Sequence, residues 1–154
     1  VMIGYYKNKI ATDNVLENGF MHTGDLGYRD RNGNYHITGR KKNVIVAKNG
    51  KNIYPEEVEY YLLRHPVISD AMVYAEDDSI LCAQIIPDIE EIGRRLKKTD
   101  LTEQEIHKCV IEAVRSTNRK LPSYKGIKKV TLRNKDFIRT STKKIKRDEK
   151  ENKE

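Results

Sequence analysis

The sequence is poor in apolar residues and in cysteine. Hydrophobic side chains make up 37% of its 154 residues, below the roughly 45–50% that is usual in globular proteins, so we expect a modest core. No apolar run approaches the roughly 20 residues that a helix needs to cross a bilayer. The two cysteines, Cys82 and Cys109, lie among apolar residues. They predict small core side chains in a reducing compartment, and hence a cytoplasmic protein.

Several catalytic and targeting signals are also missing. The four histidines are scattered and match no metal-ligand spacing, so we predict no metal site. The sequence has no nucleophile elbow and no glycine-rich phosphate loop closed by Lys-Ser or Lys-Thr. Its first residues, VMIGYYKNKI, show no charged leader and no cleavage pattern, so we expect no signal peptide and interpret the chain as part of something longer.

Basic residues outnumber acidic ones. The 30 lysines and arginines exceed the 23 aspartates and glutamates, which gives a net charge of +7 and a pI near 9.3. This charge suits nucleic acid, an anionic membrane surface or a phosphate-rich small molecule. A basic nucleic-acid-binding domain is therefore an alternative hypothesis, and peripheral membrane association is another open alternative. Because aromatic residues are not interleaved with the basic ones in any recognisable module, we do not expect nucleic acid to be the partner.

The first third of the sequence predicts β-hairpins. Short runs flank Asn32-Gly33 in LGYRDRNGNYHITGR, and a second pair of runs, NVIVA and KNGKNIY, turns at Asn49-Gly50. Asn-Gly tolerates the positive backbone angles of tight hairpin turns, so both segments predict antiparallel pairs. Strands are therefore expected to dominate up to about Tyr54.

The remainder of the sequence mixes helical and strand patterns. Pro55 suits the first turn of a helix, and Thr102 with Glu105 forms a capping box for a second one. Between these helices, VISDAMVYAE and SILCAQIIPD predict two strands separated by Asp77-Asp78, and IKKVTLR predicts a last strand. The order predicts an α+β fold, in which β-hairpins are followed by a small, mainly antiparallel sheet covered by helices.

Three segments together carry a resemblance to a known family. They are VMIGYYKN, then GFMHTGDLGYRDRNGNYHITGRKKNVIVAKNGKNIYPEEVE, and finally TSTKKIKR near the C-terminus. In this order they closely resemble the C-terminal portion of the adenylate-forming superfamily, which includes acyl-CoA synthetases, luciferases and peptide-synthetase adenylation domains. The middle segment looks most like bacterial long-chain fatty acid–CoA ligases.

The resemblance implies a domain organisation. Residues 1–39 would be the end of a large, truncated N-terminal domain, residues 40–147 a small mobile C-terminal domain, and residues 148–154 a charged, disordered tail. The acyl pocket and the phosphate loop of the family would lie in the missing N-terminal domain. We therefore expect the isolated chain to be inactive and to bind ATP poorly.

The resemblance also implies roles at the domain boundary. Asp25, in HTGD, matches the carboxylate that accepts hydrogen bonds from the ribose hydroxyls of ATP, although a plain turn aspartate would fit the same letters. Arg40, in TGRKKN, matches a second ribose or phosphate contact. Lys42 matches the hinge residue about which the small domain rotates, a role that only the alignment assigns.

The next matched segment, KNGKNIYPEEVE, corresponds to the loop that lines the CoA channel during thioester formation. Gly50 would permit close backbone approach to a ligand, and Lys51 would meet CoA phosphates. A plain hairpin glycine is an equally weighted interpretation of Gly50. One extra residue relative to many relatives leaves the assignment of Lys48 and Lys51 open.

TSTKKIKR matches the family segment that carries the catalytic lysine of adenylation, and the match places that lysine at Lys144. The glycine that usually precedes it is replaced by Lys143, so Lys143 remains a rival for the role. The usual proline and lysine upstream become Ile138 and Arg139. Lys146 and Arg147 are interpreted as surface charge.

The leading hypothesis is an ATP-dependent fatty acyl-CoA synthetase, an acid–thiol ligase that makes an acyl-adenylate and then an acyl-CoA thioester. The implied cofactors are ATP, Mg²⁺ and CoA, with a fatty acid as substrate and the missing N-terminal domain as partner. An adenylate-forming relative with a carrier protein as acceptor is an alternative within the same superfamily.

Overall fold

The computed structural model describes residues 2–76, 80–147 and 152. Contacts divide the chain into two compact units, residues 1–43 and residues 44–154. The domain boundary that the sequence suggested, between residues 39 and 40, stays a prediction. Two further expectations lie outside the described residues: the Asp77-Asp78 turn and, apart from Asn152, the disordered tail.

The first unit is built from one short helix and two hairpins. Helix α1 (Lys9–Asp13) begins at Asn8, whose side chain accepts from the amide of Ala11 at 3.0 Å. Strands β1 (Leu16–Glu17) and β2 (Phe20–Met21) form a small antiparallel pair, and β3 (Asp25–Arg29) pairs antiparallel with β4 (Tyr35–Arg40). Gly33, with φ of +91°, lies in the turn between β3 and β4, which confirms the hairpin predicted at Asn32-Gly33.

The second unit carries the main sheet and the longer helices. Its elements are β5 (Ile45–Val46), β6 (Asn52–Ile53), α2 (Pro55–Leu62), β7 (Ile68–Glu76), β8 (Ile80–Pro87), α3 (Ile89–Leu96), α4 (Glu103–Lys120) and β9 (Lys129–Leu132). The sheet has the order β7-β8-β9, with the first pair antiparallel and the second parallel. Strand pairing and helix content confirm the predicted α+β class, and the two hairpin strands β5 and β6 pair as expected.

The core of the second unit lies between this sheet and the helices. Its buried side chains come from α2, from both long strands and from one face of α4, as the pattern of the sequence predicted. The capping box of Thr102 and Glu105 is formed at the start of α4. Both cysteines are buried in the core and unpaired, which confirms their interpretation as small core side chains.

Helix α3 was not predicted, and its composition explains why. The helix IEEIGRRL carries four charged side chains and a glycine, and Ile92 is its one fully buried residue. It begins at Asp88, whose carboxylate accepts from the amide of Glu91 at 2.9 Å. Ile89, Ile92 and Leu96 recur at helical spacing after the capping residue Asp88, so the signal is present, but it covers only eight residues of which half are charged.

Candidate functional site

In the first unit, Asp25 and Arg40 lie opposite each other at the open end of the β3–β4 hairpin. Arg40 Nη1 lies 3.1 Å from Asp25 Oδ1, and the two side chains are 32% and 42% exposed for Asp25 and Arg40 respectively. Arg40 also donates to the carbonyl oxygen of Thr23, and the backbone amide of Asp25 donates to the Thr23 hydroxyl oxygen at 3.2 Å. The hairpin therefore presents a carboxylate and a guanidinium side by side, at a partly exposed edge.

Glycines allow the hairpin to take this shape. Gly24 has a φ of +73°, and its carbonyl accepts from the amide of Lys41 at 2.8 Å. At Gly27, beside a bulge in the strand pairing, an added Cβ would lie 2.4 Å from the carbonyl oxygen of His36. A side chain at Gly27 would therefore force the two strands apart and disturb the Asp25–Arg40 register.

Lys42 lies in a short 3-10 turn, Lys41–Asn43, that follows β4 directly. This turn contains the last residues of the first unit, and the second unit begins at Val44. The hinge role of Lys42 stays a prediction.

In the second unit, Gly50 and Lys51 form the end of the β5–β6 turn. Gly50 has a φ of +74° and donates its amide to the carbonyl of Ala47 at 2.8 Å. An added Cβ at Gly50 would have no neighbour within 4 Å, so the glycine is required by its backbone angle and not by crowding. The side of the turn next to Gly50 is open enough for a ligand to approach the backbone.

Lys51 extends from this turn onto an aromatic ring. Its ammonium nitrogen lies 4.8 Å from the centroid of the Tyr124 ring, a distance at which a cation is attracted to the ring face. Lys125 lies next to the same ring at 5.8 Å and forms an ion pair with Glu57 of α2 at 2.6 Å. Tyr124 thus links the β5–β6 turn to α2 through two lysines.

Lys144 lies on a small hairpin that we call the terminal hairpin, residues 138–147. Arg139 and Ile145 form an antiparallel bridge, and the amide of Thr140 donates to the carbonyl of Lys144 at 2.8 Å. The amide of Lys143 donates to the carbonyl of Thr140 at 2.9 Å, which closes the turn. Lys144 is exposed at the end of this turn, and within the described chain no ion pair is formed by its ammonium group.

Lys143 takes the conformation of the glycine that it replaces. Its φ is +61°, in the left-handed region that glycine occupies without steric cost. The hydrogen-bond pattern is that of a three-residue hairpin loop whose last residue is left-handed. The turn geometry expected of a glycine is therefore retained, at the expense of strain in the Lys143 backbone.

Replacing Lys143 with glycine should relieve this strain. A left-handed non-glycine residue costs roughly 1–2 kcal/mol, and the greater freedom of glycine in the unfolded chain offsets about half of that. We expect Lys143→Gly to raise the free energy of unfolding of the second unit by about 0.5–1 kcal/mol. Urea titration by circular dichroism measures this; Lys143→Ala, which removes the charge and keeps the Cβ, should leave stability unchanged. A gain of equal size in Lys143→Ala would attribute the effect to charge.

Arg139 fastens the terminal hairpin to β7. Its guanidinium donates to the carbonyl oxygen of Lys143 and forms an ion pair with Asp70 of β7. The Asp70 side chain is 18% exposed and that of Arg139 39%. The pair therefore ties the turn that precedes Lys144 to the edge of the sheet.

The interpretation of Arg147 as surface charge is wrong. Its guanidinium donates to the carbonyl of Val73 at 2.9 Å and to Glu59 Oε2 at 2.6 Å. The side chains of Arg147 and Glu59 are 19% and 11% exposed. The other carboxylate oxygen of Glu59 accepts from the amide of Val73 at 2.7 Å, so a partly buried ion pair joins the terminal hairpin to both α2 and β7.

Asn152 closes the base of the terminal hairpin and was not recognised in the sequence. Its side-chain oxygen accepts from the amide of Ile138 at 2.9 Å. Its side-chain nitrogen donates to the carbonyls of Ile138 at 3.1 Å and Lys146 at 2.8 Å. Asn152 is fully buried and in this respect differs from the disordered tail expected over residues 148–154.

Burial raises the pKa of Glu59 above its ordinary value, and the neighbouring Arg147 offsets part of that rise. Because the folded pKa exceeds the unfolded one, the folded state takes up a proton first as pH falls, so this residue adds stability as pH decreases from neutral towards 4.5. We expect the stability of wild type minus that of Glu59→Gln to grow between pH 7 and pH 5. Urea titrations at both pH values test this, and an opposite slope would contradict it.

Helix α2 forms ion pairs with two separate parts of the second unit. Glu57 pairs with Lys125, which lies next to the same tyrosine ring as Lys51, and Glu59 pairs with Arg147 of the terminal hairpin. Arg147 also lies 3.8 Å from Glu56, the residue before Glu57. One helix therefore contacts both the segment next to Lys51 and the hairpin that carries Lys144.

Among residues 2–76, 80–147 and 152, no group of three histidine, cysteine, aspartate or glutamate side chains could hold a metal ion. No helix among these residues is both long enough and apolar enough to cross a bilayer.

Comparison with known proteins gives a family and close relatives. The profile of the family described as "AMP-binding enzyme C-terminal domain" matches residues 42–153. The chain is 35% identical over 162 residues to the long-chain-fatty-acid–CoA ligase FadD15 of Mycobacterium tuberculosis, a match that covers 96% of this chain and 27% of that protein. It is 33% identical over 150 residues to the 2-succinylbenzoate–CoA ligase of Bacillus mycoides, covering 95% and 27% respectively. The chain thus spans about a quarter of these relatives' length.

Solved structures share the fold. The O-succinylbenzoate coenzyme A synthetase of Bacillus subtilis in complex with AMP matches with a TM-score of 0.67 and 26% identity, over 94% of this chain and 27% of that one. The adenylation domain of the carboxylate reductase from Mycobacterium chelonae matches with a TM-score of 0.80 and 21% identity, over 94% and 23%. The second match shows the fold alone.

Proposed function

Because the chain belongs to the family of AMP-binding enzyme C-terminal domains, we propose that it is the C-terminal part of an ATP-dependent fatty acyl-CoA synthetase. The family match and the CoA-ligase relatives confirm the resemblance found in the sequence motifs. The chain covers 27% of the length of the long-chain fatty acid ligase FadD15.

The observation that carries the proposal is the placement of Lys144. The family motif puts its catalytic lysine at this position, and here the lysine is exposed at the end of a hairpin turn. Lys143, the rival, takes the left-handed backbone conformation of the glycine it replaces. This supports Lys143 as the turn residue and Lys144 as the cation that is presented to a substrate.

A cation is what adenylation requires at this position. The first half-reaction joins a fatty acid carboxylate to the α-phosphate of ATP, so two anions must approach each other. Negative charge on the phosphoryl oxygens then increases as pyrophosphate leaves. The ammonium of Lys144 would stabilise this charge more in the transition state than in the ground state, which lowers the barrier.

The β5–β6 turn suits the second half-reaction. Lys51 holds a positive charge over Tyr124 at 4.8 Å, and Gly50 leaves the adjacent backbone open. Lys51 would attract the phosphates of CoA, and the arm of CoA that ends in the thiol would lie against the open backbone at Gly50. The domain would present the terminal hairpin to adenylation and the β5–β6 turn to thioester formation, with rotation about Lys42.

The Asp25–Arg40 pair fits the nucleotide. A carboxylate can accept both ribose hydroxyls at once, and a guanidinium beside it suits a ribose or phosphate oxygen. Asp25 and Arg40 would hold the ribose so that the α-phosphate is oriented toward the carboxylate. Mg²⁺, which we expect as a cofactor with ATP, would supply charge neutralisation at the phosphates.

Product analysis of the full-length enzyme tests the proposal. With ATP, Mg²⁺, CoA and fatty acids of short, medium or long chain, we expect AMP, pyrophosphate and an acyl-CoA thioester. Release of ADP and phosphate, or no fatty acid dependence, would contradict it. A thioester formed on a carrier protein in place of CoA would instead favour the alternative acceptor.

We also propose that the protein is located in the cytoplasm, with peripheral association with a membrane as the alternative. Cell fractionation distinguishes the two, because a peripheral protein sediments with the membranes and a cytoplasmic one does not.

A further inference from the structure

The terminal hairpin that carries Lys144 is exposed at its turn but fixed at three other points. Arg139 joins it to Asp70 of β7, Arg147 joins it to Glu59 of α2, and Asn152 joins its two strands at the base. A lysine side chain is long and flexible, so the accuracy with which its ammonium is placed depends on how firmly its backbone is held.

Among the described residues, the side chain of Asn152 forms hydrogen bonds only with the terminal hairpin. Its three hydrogen bonds go to the backbone of Ile138 and Lys146, one on each strand of the hairpin. Because none of these partners lies in the main sheet or in a helix, removing the amide would loosen the hairpin base and leave the remaining fold in place. This is the behaviour of a residue that fixes a loop.

Asp70 acts at the other end of the hairpin. It pairs with Arg139, whose guanidinium also donates to the carbonyl oxygen of Lys143, the residue before Lys144. The amide of Lys144 is itself bonded to Thr140 Oγ1 at 3.2 Å. A shift of Arg139 would therefore be transmitted to the backbone at Lys144 through one peptide unit.

We propose that Asp70, Glu59 and Asn152 are positioning residues for Lys144, which fix the terminal hairpin so that the ammonium group reaches the reacting phosphate. Glu59 acts through Arg147, and Asp70 acts through Arg139. The catalytic consequence rests on the proposed function, but the fixing of the hairpin does not.

The fixing of the hairpin is tested in the present chain by NMR relaxation. We expect the backbone order parameter of Lys144 to fall from about 0.8 to below about 0.6 in Asn152→Ala and in Asp70→Asn. Asn152→Asp, which keeps the acceptor for Ile138 and loses both donors, should give an intermediate value. Glu76→Gln, which breaks the remote Glu76–Lys129 pair, should leave the value at Lys144 unchanged. Unchanged order at Lys144 in both Asn152→Ala and Asp70→Asn would overturn the proposal.

The catalytic consequence is tested in the full-length enzyme with the same variants. We expect kcat for acyl-adenylate formation to fall roughly 10- to 100-fold, as for other misplaced catalytic groups, with KM for ATP and the rate of thioester formation from added acyl-adenylate unchanged. Equal loss in both half-reactions, together with a lower Tm, would reduce these residues to a structural role and overturn the proposal.

The proposed function and the positioning role of Asp70, Glu59 and Asn152 can be disproved separately. If Lys144 is mobilised as expected but the wild-type full-length enzyme forms no acyl-adenylate from any fatty acid, the proposed function is overturned while the fixing of the hairpin is supported. If wild type is active and the hairpin variants stay rigid and fully active, the proposed function stands and the positioning role is overturned.

Discussion

In the full-length enzyme, Lys144→Ala should lower the rate of acyl-adenylate formation by about 10²–10³-fold, the usual effect of removing one preorganised charge-stabilising group. In the proposed mechanism the substitution removes the cation that would lie next to the phosphoryl oxygens, where charge increases in the transition state. Because Lys144 is exposed, the alanine variant should fold with unchanged stability. Fatty acid-dependent exchange of pyrophosphate into ATP measures the rate.

Lys143→Ala is the matched control for this experiment. It removes one positive charge from the adjacent residue and retains the left-handed backbone position. We expect its adenylation rate to stay within a few-fold of wild type. A loss in Lys143→Ala as large as that in Lys144→Ala would move the catalytic assignment to Lys143 or to the summed charge of both lysines.

Loss of the Arg147 guanidinium should strongly lower the free energy of unfolding of the second unit. Arg147→Met should destabilise the second unit by about 3 kcal/mol or more at pH 7, because it leaves the carboxylate of Glu59 buried without its partner. The Glu59 side chain is only 11% exposed, so solvent cannot replace the guanidinium. Since the chain has no tryptophan and 9 tyrosines, urea titration followed by circular dichroism or tyrosine fluorescence is the suitable measurement.

The double variant Glu59→Gln/Arg147→Met separates the cost of the unpaired charge from the loss of packing. Glutamine keeps a side-chain oxygen for the amide of Val73, which Glu59 Oε1 now binds at 2.7 Å, but carries no charge. We expect the double variant to be more stable than Arg147→Met alone. A double variant that is equally unstable would mean that the buried charge does not account for the loss.

Local signals in the sequence were sufficient for most elements of the fold. Asn32-Gly33 and Asn49-Gly50 predicted the two hairpins because the turn residues themselves determine the backbone angles. The capping box at Thr102 predicted the start of α4 because its donors and acceptors are three residues apart. The parallel pairing of β8 with β9 was not predicted, since it depends on how a helix returns the chain to the sheet and not on any residue within the strands.

The residues that hold the terminal hairpin in place could not be predicted, because their partners are distant in the sequence. Glu59 and Arg147 are 88 residues apart in the sequence, and Asp70 and Arg139 are 69 apart. A charged residue that is buried in the fold looks the same in a sequence as one on the surface, so the sequence alone does not distinguish Arg147 from a surface charge. The motif TSTKKIKR indicated Lys144, but the residues that fix its hairpin lie outside the motif, and the catalytic role of Lys144 stays a prediction.

The assignment of Lys144 to adenylation is tested most directly by the rate at which full-length Lys144→Ala enzyme converts preformed acyl-adenylate and CoA into acyl-CoA. We predict a rate close to that of wild type, because in the proposed mechanism Lys144 would act while the carboxylate is joined to the α-phosphate and not in the thioester step. A loss as large as that in adenylate formation would contradict the assignment of Lys144 to the first half-reaction.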